Sequence, residues 1–164
     1  MKVEWCPLNT ELANAPEGGG VYLYPQVLAL GLTFPVTSFM CYYHVTLSQL
    51  VAGDWRVVLS FQALCNLYLP DACRVEDFSA LYAIKRTKKG THFFGAKFVC
   101  EKLIVNLVDS NHEWRDTVIR VYGAWEAAQQ RNHGPIQTVW NEGKHVHREI
   151  PITTEIEKRV QKLL

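Results

Sequence analysis

Hydrophobic and polar positions change period once along this chain. From Val21 to Leu81 the apolar residues recur at three- and four-residue spacing, the pattern of helices with one buried face; from Tyr82 they alternate singly, as in half-buried strands. VYLYPQVLALGL predicts a short helix with Pro25 in its first turn, joined through Gly31 to a second over PVTSFMCYYHVTL, where Phe39, Tyr42 and Tyr43 share a face. GDWRVVLSFQALCNLYLP predicts the central helix. Asp54 is placed to cap it, Trp55, Val58, Leu59, Gln62 and Leu67 lie on or near one face, and Pro70 stops it. A further short helix is expected from Arg74 through Glu76, Asp77, Phe78 and Leu81, with both carboxylates in its first turn.

The strand pattern begins with YAIKRTKKGTHFFGAKF, a hairpin turning at Lys88, Lys89 and Gly90. LIVNLV, from Leu103 to Val108, fits a strand or the end of a short helix, and DSNHEW makes a turn after it. In EWRDTVIRVYGAWE a strand sets Val118, Arg120 and Tyr122 on one side and Thr117, Ile119 and Val121 on the other, bracketed by Trp114 and Trp125 as apolar anchors. Residues 126–151 carry Gly134, Pro135, Gly143 and Pro151 with little periodicity, an extended excursion pinned at Trp140. ITTEIEKRVQKLL predicts a closing amphipathic helix capped by Thr153 or Thr154, with an Ile152, Ile156, Val160 and Leu163 stripe of the kind a coiled coil extends. Residues 1–20 end in ANAPEGGG and are expected to be a flexible lead, residues 21–150 a single domain, and residues 151–164 a terminal helix, the start of a truncated coiled coil. The expected fold class is α+β: an N-terminal helical cluster, then a small antiparallel sheet, then the C-terminal amphipathic helix. Trp55, Trp114, Trp125 and Trp140 are its structural anchors.

Composition agrees with a packed domain, since 48% of the 164 residues are hydrophobic. With 17 basic against 16 acidic side chains the net charge is +1, so any attraction to nucleic acid must be local rather than global. Five cysteines scattered among apolar neighbours suit a reducing intracellular compartment, cytoplasm or nucleus. The apolar stretch from Val21 to Leu50 is interrupted by Pro25, Gly31, Pro35 and His44, and no membrane association is expected.

The order of these features resembles the gypsy-type transposase family of plant retroelements, a Gag-region-like group. The resemblance runs from Val21 to the end of the chain. It rests on PVTSFMCYYHVTLSQL with its Ser48-Gln49-Leu50, the amphipathic segment through Phe61 and Cys65, the Lys88-Lys89-Gly90 hairpin, HEWRDTVIRVYGAWE, and VWNEGK before PITTEIEKRVQKLL. Thr117, Val118 and Ile119 stand where the family carries consecutive aromatics, and Val51-Ala52-Gly53 where it carries Pro-Asn after Gln-Leu, so this is a diverged copy. The resemblance implies a non-catalytic interaction or self-assembly domain, self-associating through the C-terminal helix, and carries over no catalytic residue. An alternative is a nucleic-acid-binding module, and a third a transposase or integrase remnant.

The residues themselves point away from catalysis. Metal-dependent strand transfer needs converging carboxylates, whereas Asp54, Asp71, Asp77, Asp109 and Asp116 fall mostly in expected caps and turns. Cys41 and His44 have C-x-x-H spacing and His145 and His147 lie close together, yet neither pair has a second pair to complete a zinc site. No metal and no cofactor is expected. The local feature left is the cationic hairpin, where Lys85, Arg86, Lys88, Lys89 and Lys97, followed by Lys102, lie beside His92, Phe93 and Phe94. Such a surface fits either a solvated turn that discourages strand pairing or a weak site for RNA or single-stranded DNA.

Overall fold

The computed structural model describes residues 2–7, 9–29, 36–97, 103–104, 117–123, 138–140 and 151–164. Its elements run β1 (Lys2–Trp5), β2 (Val21–Leu23), α1 (Pro25–Ala29), α2 (Val36–Tyr43), α3 (Ala52–Tyr68), α4 (Val75–Leu81), β3 (Tyr82–Arg86), β4 (His92–Ala96), β5 (Ile119–Tyr122) and α5 (Thr154–Leu163). A 3₁₀ turn at Leu47–Gln49 leads into α3. The fold is α+β, with helices between two small antiparallel sheets and a C-terminal helix.

The opening residues are not a slack lead. Lys2–Trp5 pairs with β5 along its whole length, and β2 flanks β5 on the other side, giving the order β1-β5-β2. The three glycines expected to loosen the chain instead steer it. Gly18, Gly19 and Gly20 all hold positive φ, 74°, 85° and 95°, the left-handed region that a Cβ disfavours. At Gly20 a Cβ would also stand 2.5 Å from the Val121 carbonyl oxygen, so the chain enters β2 through a gap only glycine fits. Val21–Leu23 is correspondingly a strand rather than the first turn of a helix, and α1 begins at Pro25, whose missing N–H costs a helix start nothing.

The second sheet is the hairpin β3–β4, its register running from Tyr82 opposite Ala96 to Arg86 opposite His92. Its loop is Lys88-Lys89-Gly90. Thr87 N–H donates to the Thr91 carbonyl at 2.8 Å and Gly90 takes φ 84°, the left-handed position of a three-residue hairpin loop. Val51 N–H donates to the His92 carbonyl at 2.9 Å, so the lead-in to α3 borders β4.

An aromatic core joins helices α2, α3 and α4 to the β3–β4 hairpin. Phe78 of α4 is its hub: the ring stacks on Tyr82 at 4.7 Å and meets Phe39, Phe61 and Phe94 edge-on at 5.1, 5.2 and 4.9 Å. The buried face of α3 is Trp55, Val58, Phe61 and Cys65. Gln62 is half-buried and Leu67, expected on that face, is 75% exposed. The N-terminal end of α3 is tied to β4. Asp54 does not cap α3, which has Val51 at its N-cap; its carboxylate accepts the Phe94 N–H at 3.0 Å.

Helix α5 lies against α4 and α3 instead of standing apart as a separate terminal segment. Thr153 caps it, accepting Ile156 N–H at 3.3 Å, and Ile156, Arg159 and Leu163 are buried. The stripe that a coiled coil would extend is therefore engaged within the chain at Ile156 and Leu163, while Ile152 remains 56% exposed. Among the described residues no helix is long and apolar enough to cross a membrane.

Candidate functional site

The cationic hairpin has two unlike faces, set by strand alternation. Tyr82, Ile84, His92 and Phe94 point into the core and are buried. On the outer face Lys85 stands directly opposite Phe93, and both are exposed. The lysine lies across Gly95, where a Cβ would come within 2.8 Å of its Cε; glycine leaves the room that lets the side chain lie along the sheet. Lys88 and Lys89 stand exposed at the tip. The result is a positively charged strip with one accessible aromatic ring.

Two of the residues expected in that strip have structural work as well. Lys97 Nζ donates to the Ser79 carbonyl at 2.6 Å, tying the end of β4 to α4. Arg86 lies by the tip, where the guanidinium and the Trp140 ring would both sit within 3.8 Å of a Cβ on Gly90. Trp140 joins two distant segments: its indole N–H donates to Ser48 Oγ at 2.9 Å and its backbone N–H to the Ala13 carbonyl at 2.9 Å. Ser48 also accepts the Tyr24 hydroxyl at its carbonyl, 3.1 Å away, so the Ser48-Gln49-Leu50 stretch ties several segments together. Trp55 is fully buried. Trp114, Trp125, Lys102, Asp109, Asp116, His145 and His147 lie outside the described residues.

The C-x-x-H spacing of Cys41 and His44 has a local explanation. His44 takes the left-handed conformation, φ 51°, that closes α2, and Val45 N–H reaches back to the Met40 carbonyl at 3.3 Å. Burial pushes the Cys41 thiol up. Cys65 and Cys73, too far apart in sequence for a zinc knuckle, hydrogen bond to each other through their thiols, which with burial raises Cys73 far above its ordinary value. Among the described residues no three His, Cys, Asp or Glu side chains are grouped to hold a metal ion.

The strongest polar constellation is one that spacing does not reveal. Arg159 of α5 donates from Nε to Asp77 Oδ1 at 2.8 Å and from Nη2 to Asp77 Oδ2 at 2.7 Å, while Nη2 also reaches the Ala72 carbonyl at 3.1 Å and Nη1 donates to Asp71. Arg74 extends the cluster, bridging Asp71 at 2.8 Å and Glu155 at 2.7 Å. The hydrogen bonds to Asp77 hold Arg159 above its ordinary value despite burial, and those from Arg159 hold Asp71 below. Asp77 is 0% exposed, so this is an internal latch between α4 and α5, not a substrate clamp.

Asp54 carries the clearest pH signature. Burial pushes its carboxyl up to about 7, only partly opposed by the Phe94 N–H. A folded value raised above the ordinary 3.8 means that the folded state binds the proton more tightly than the unfolded state. The associated stability is fully present below pH 3.8, declines as pH rises toward about 7, and is flat beyond. Asp54→Asn keeps an oxygen for the Phe94 amide without the charge, and is expected to flatten that decline in urea titrations across this range. An unchanged pH profile in the variant would place the titration elsewhere.

No protein-family model, curated protein or solved structure matches the chain.

Proposed function

We propose that this chain is a non-catalytic interaction domain of the Gag-like, retroelement-derived kind its resemblance implies, and that it holds single-stranded nucleic acid on the outer face of the β3–β4 hairpin. The observation that carries this reading is the direct pairing of exposed Lys85 with exposed Phe93, beside Lys88 and Lys89 at the loop. A ring flanked by ammonium groups suits an unpaired base stacked on carbon and its phosphates held by charge. A duplex offers no free base face to such a ring. The buried carboxylates support a non-catalytic role, because Asp54 and Asp77 hold the Phe94 amide and Arg159 in place. Among the described residues Cys6, Cys65 and Cys73 form no disulfide, which suits the reducing cytoplasm or nucleus.

Fluorescence anisotropy with a labelled single-stranded oligonucleotide, measured across salt, tests the reading. Changing Lys85, Lys88 and Lys89 together to Ala is expected to flatten the log affinity against log salt slope by about 2, at roughly 0.7 for each phosphate no longer neutralised. Phe93→Ala is expected to weaken binding by about 1–3 kcal/mol with the salt slope unchanged, the mark of lost stacking. Wild-type protein that binds no oligonucleotide at low salt, or a triple variant with the native slope, defeats the proposal. Circular dichroism confirms that each variant is folded.

A further inference from the structure

We infer that β1 is a homodimerisation edge, pairing antiparallel with the β1 of a second copy to join two three-stranded sheets into one of six strands. This goes beyond the hairpin reading and uses different residues.

The backbone comes first. Cys6 N–H donates to the Val118 carbonyl at 2.9 Å, and the register continues Trp5 opposite Ile119, Glu4 opposite Arg120 and Val3 opposite Val121. Hydrogen-bonded pairs alternate along an antiparallel ladder, so the N–H and C=O groups of Lys2 and Glu4 face β5 and those of Val3 and Trp5 face outward. Among the described residues no strand pairs with that outer side. It is an open template for another strand.

The side chains point the same way. Val3 and Trp5 lie on the core face of the sheet, across from Val121 and Ile119. Exposure along that face rises from 1% and 0% at Val21 and Leu23, through 2% at both Val121 and Ile119, to 46% and 68% at Val3 and Trp5. The apolar side of the sheet thus runs out past the helices that cover it.

Charge selects the occupant and the register. Lys2 and Glu4 share the opposite face, and Glu4 lies 3.5 Å from Arg120 of its own chain. Setting Val3 opposite the second copy's Val3 makes the outward amides meet in a hydrogen-bonded pair and puts each Lys2 across from the other copy's Glu4. Both ion pairs follow from one two-fold axis, the self-complementarity that an isologous contact requires. Sliding by two residues sets Glu4 against Glu4, and sliding by one brings the outward amides of one strand against the inward-facing groups of the other. A strand with a single charge sign would repel its own copy; this one attracts it.

Sedimentation equilibrium on the whole chain tests the inference. The wild type is expected to be a concentration-dependent dimer. Val3→Pro removes an outward N–H without touching the β1–β5 ladder, as proline on an edge strand does, and is expected to leave a folded monomer. Glu4→Lys sets like charges across both pairs and is expected to raise the dissociation constant about tenfold or more. Exchanging both charges, K2E with E4K, is expected to recover part of the loss, because the lysine at position 4 still faces Arg120 of its own chain. A wild type that stays monomeric to millimolar concentration overturns the inference, as does a dimer indifferent to Val3→Pro or to Glu4→Lys. A double exchange that fails to recover association overturns the Val3-to-Val3 register. Should Val3→Pro unfold, the two charge variants decide alone.

Discussion

Arg159→Met is expected to destabilise the fold by about 3–5 kcal/mol, the usual cost of removing one partner from a buried ion pair. Methionine keeps most of the stem, so packing is largely preserved and the charge is the variable. What remains is the Asp77 carboxylate at 0% exposure, satisfied among the described residues by the Arg74 N–H at 3.2 Å. Arg159→Lys is expected to recover little, because an ammonium group cannot reproduce the parallel Nε and Nη2 bonds to the two carboxylate oxygens. Pairing Arg159→Met with Asp77→Asn is expected to recover a good part of the loss, since no unpaired charge then stays inside. Chemical denaturation of the wild type, Arg159→Met, Asp77→Asn and the double variant closes this cycle. A loss under about 1 kcal/mol in the single variant would reduce the latch to the value of a surface pair. Arg159 holds Asp71 below its ordinary range, so the contribution of Asp71 is present above that range and is lost as pH falls through the depressed value.

That latch shows where sequence reading reaches and where it stops. Local chemistry was legible: the Lys88-Lys89-Gly90 loop, the helix from Val75 and the Thr153 cap each depend on residues within one turn of one another. Arg159 and Asp77 are 82 positions apart, and periodicity carries no information about such a partner. Strand β1 was illegible for the same reason, since Lys2 finds its place opposite Tyr122. Four residues alternate too briefly to announce a strand. The glycine run before β2 was visible but ambiguous, because three glycines permit slack and also permit three consecutive left-handed residues; only the nearness of the Val121 carbonyl decides between them. Asp54 is a similar case: expected at the N-cap of α3, it lies in the first turn instead, and its carboxylate is recruited by the Phe94 amide of a strand 40 positions on. Of the hairpin site the residue types were readable, and so was their alternation. That Lys97 is tied to Ser79 while Lys85 lies open beside Phe93 depends on α4 packing across the end of β4.

Phe78→Ala is expected to cost about 3–5 kcal/mol, the range for deleting a buried phenylalanine ring that its neighbours do not refill. Five rings close on this side chain from four elements: Phe39 and Tyr43 from α2, Phe61 from α3, Tyr82 from β3 and Phe94 from β4. Each sits in a full core and cannot advance into the gap without leaving its own neighbours. Loss of the near-ultraviolet circular dichroism of the aromatic cluster should accompany the drop in denaturation midpoint. Leu67→Ala provides the contrast, because that side chain is 75% exposed and its removal is expected to change stability by no more than about 0.5 kcal/mol. Leu67→Ala also tests which face of α3 is buried, since Phe61 of that helix is fully buried against Phe78 while Leu67 faces out. A costly Leu67→Ala would turn α3 away from Phe61, and with it the ring packing that holds the hairpin on the core. The same hub governs how Lys85 and Phe93 are presented, since Phe94 is the next residue along the strand. Phe78→Ala should therefore weaken oligonucleotide binding even though the mutated ring lies inside the protein, whereas Leu67→Ala should leave it intact.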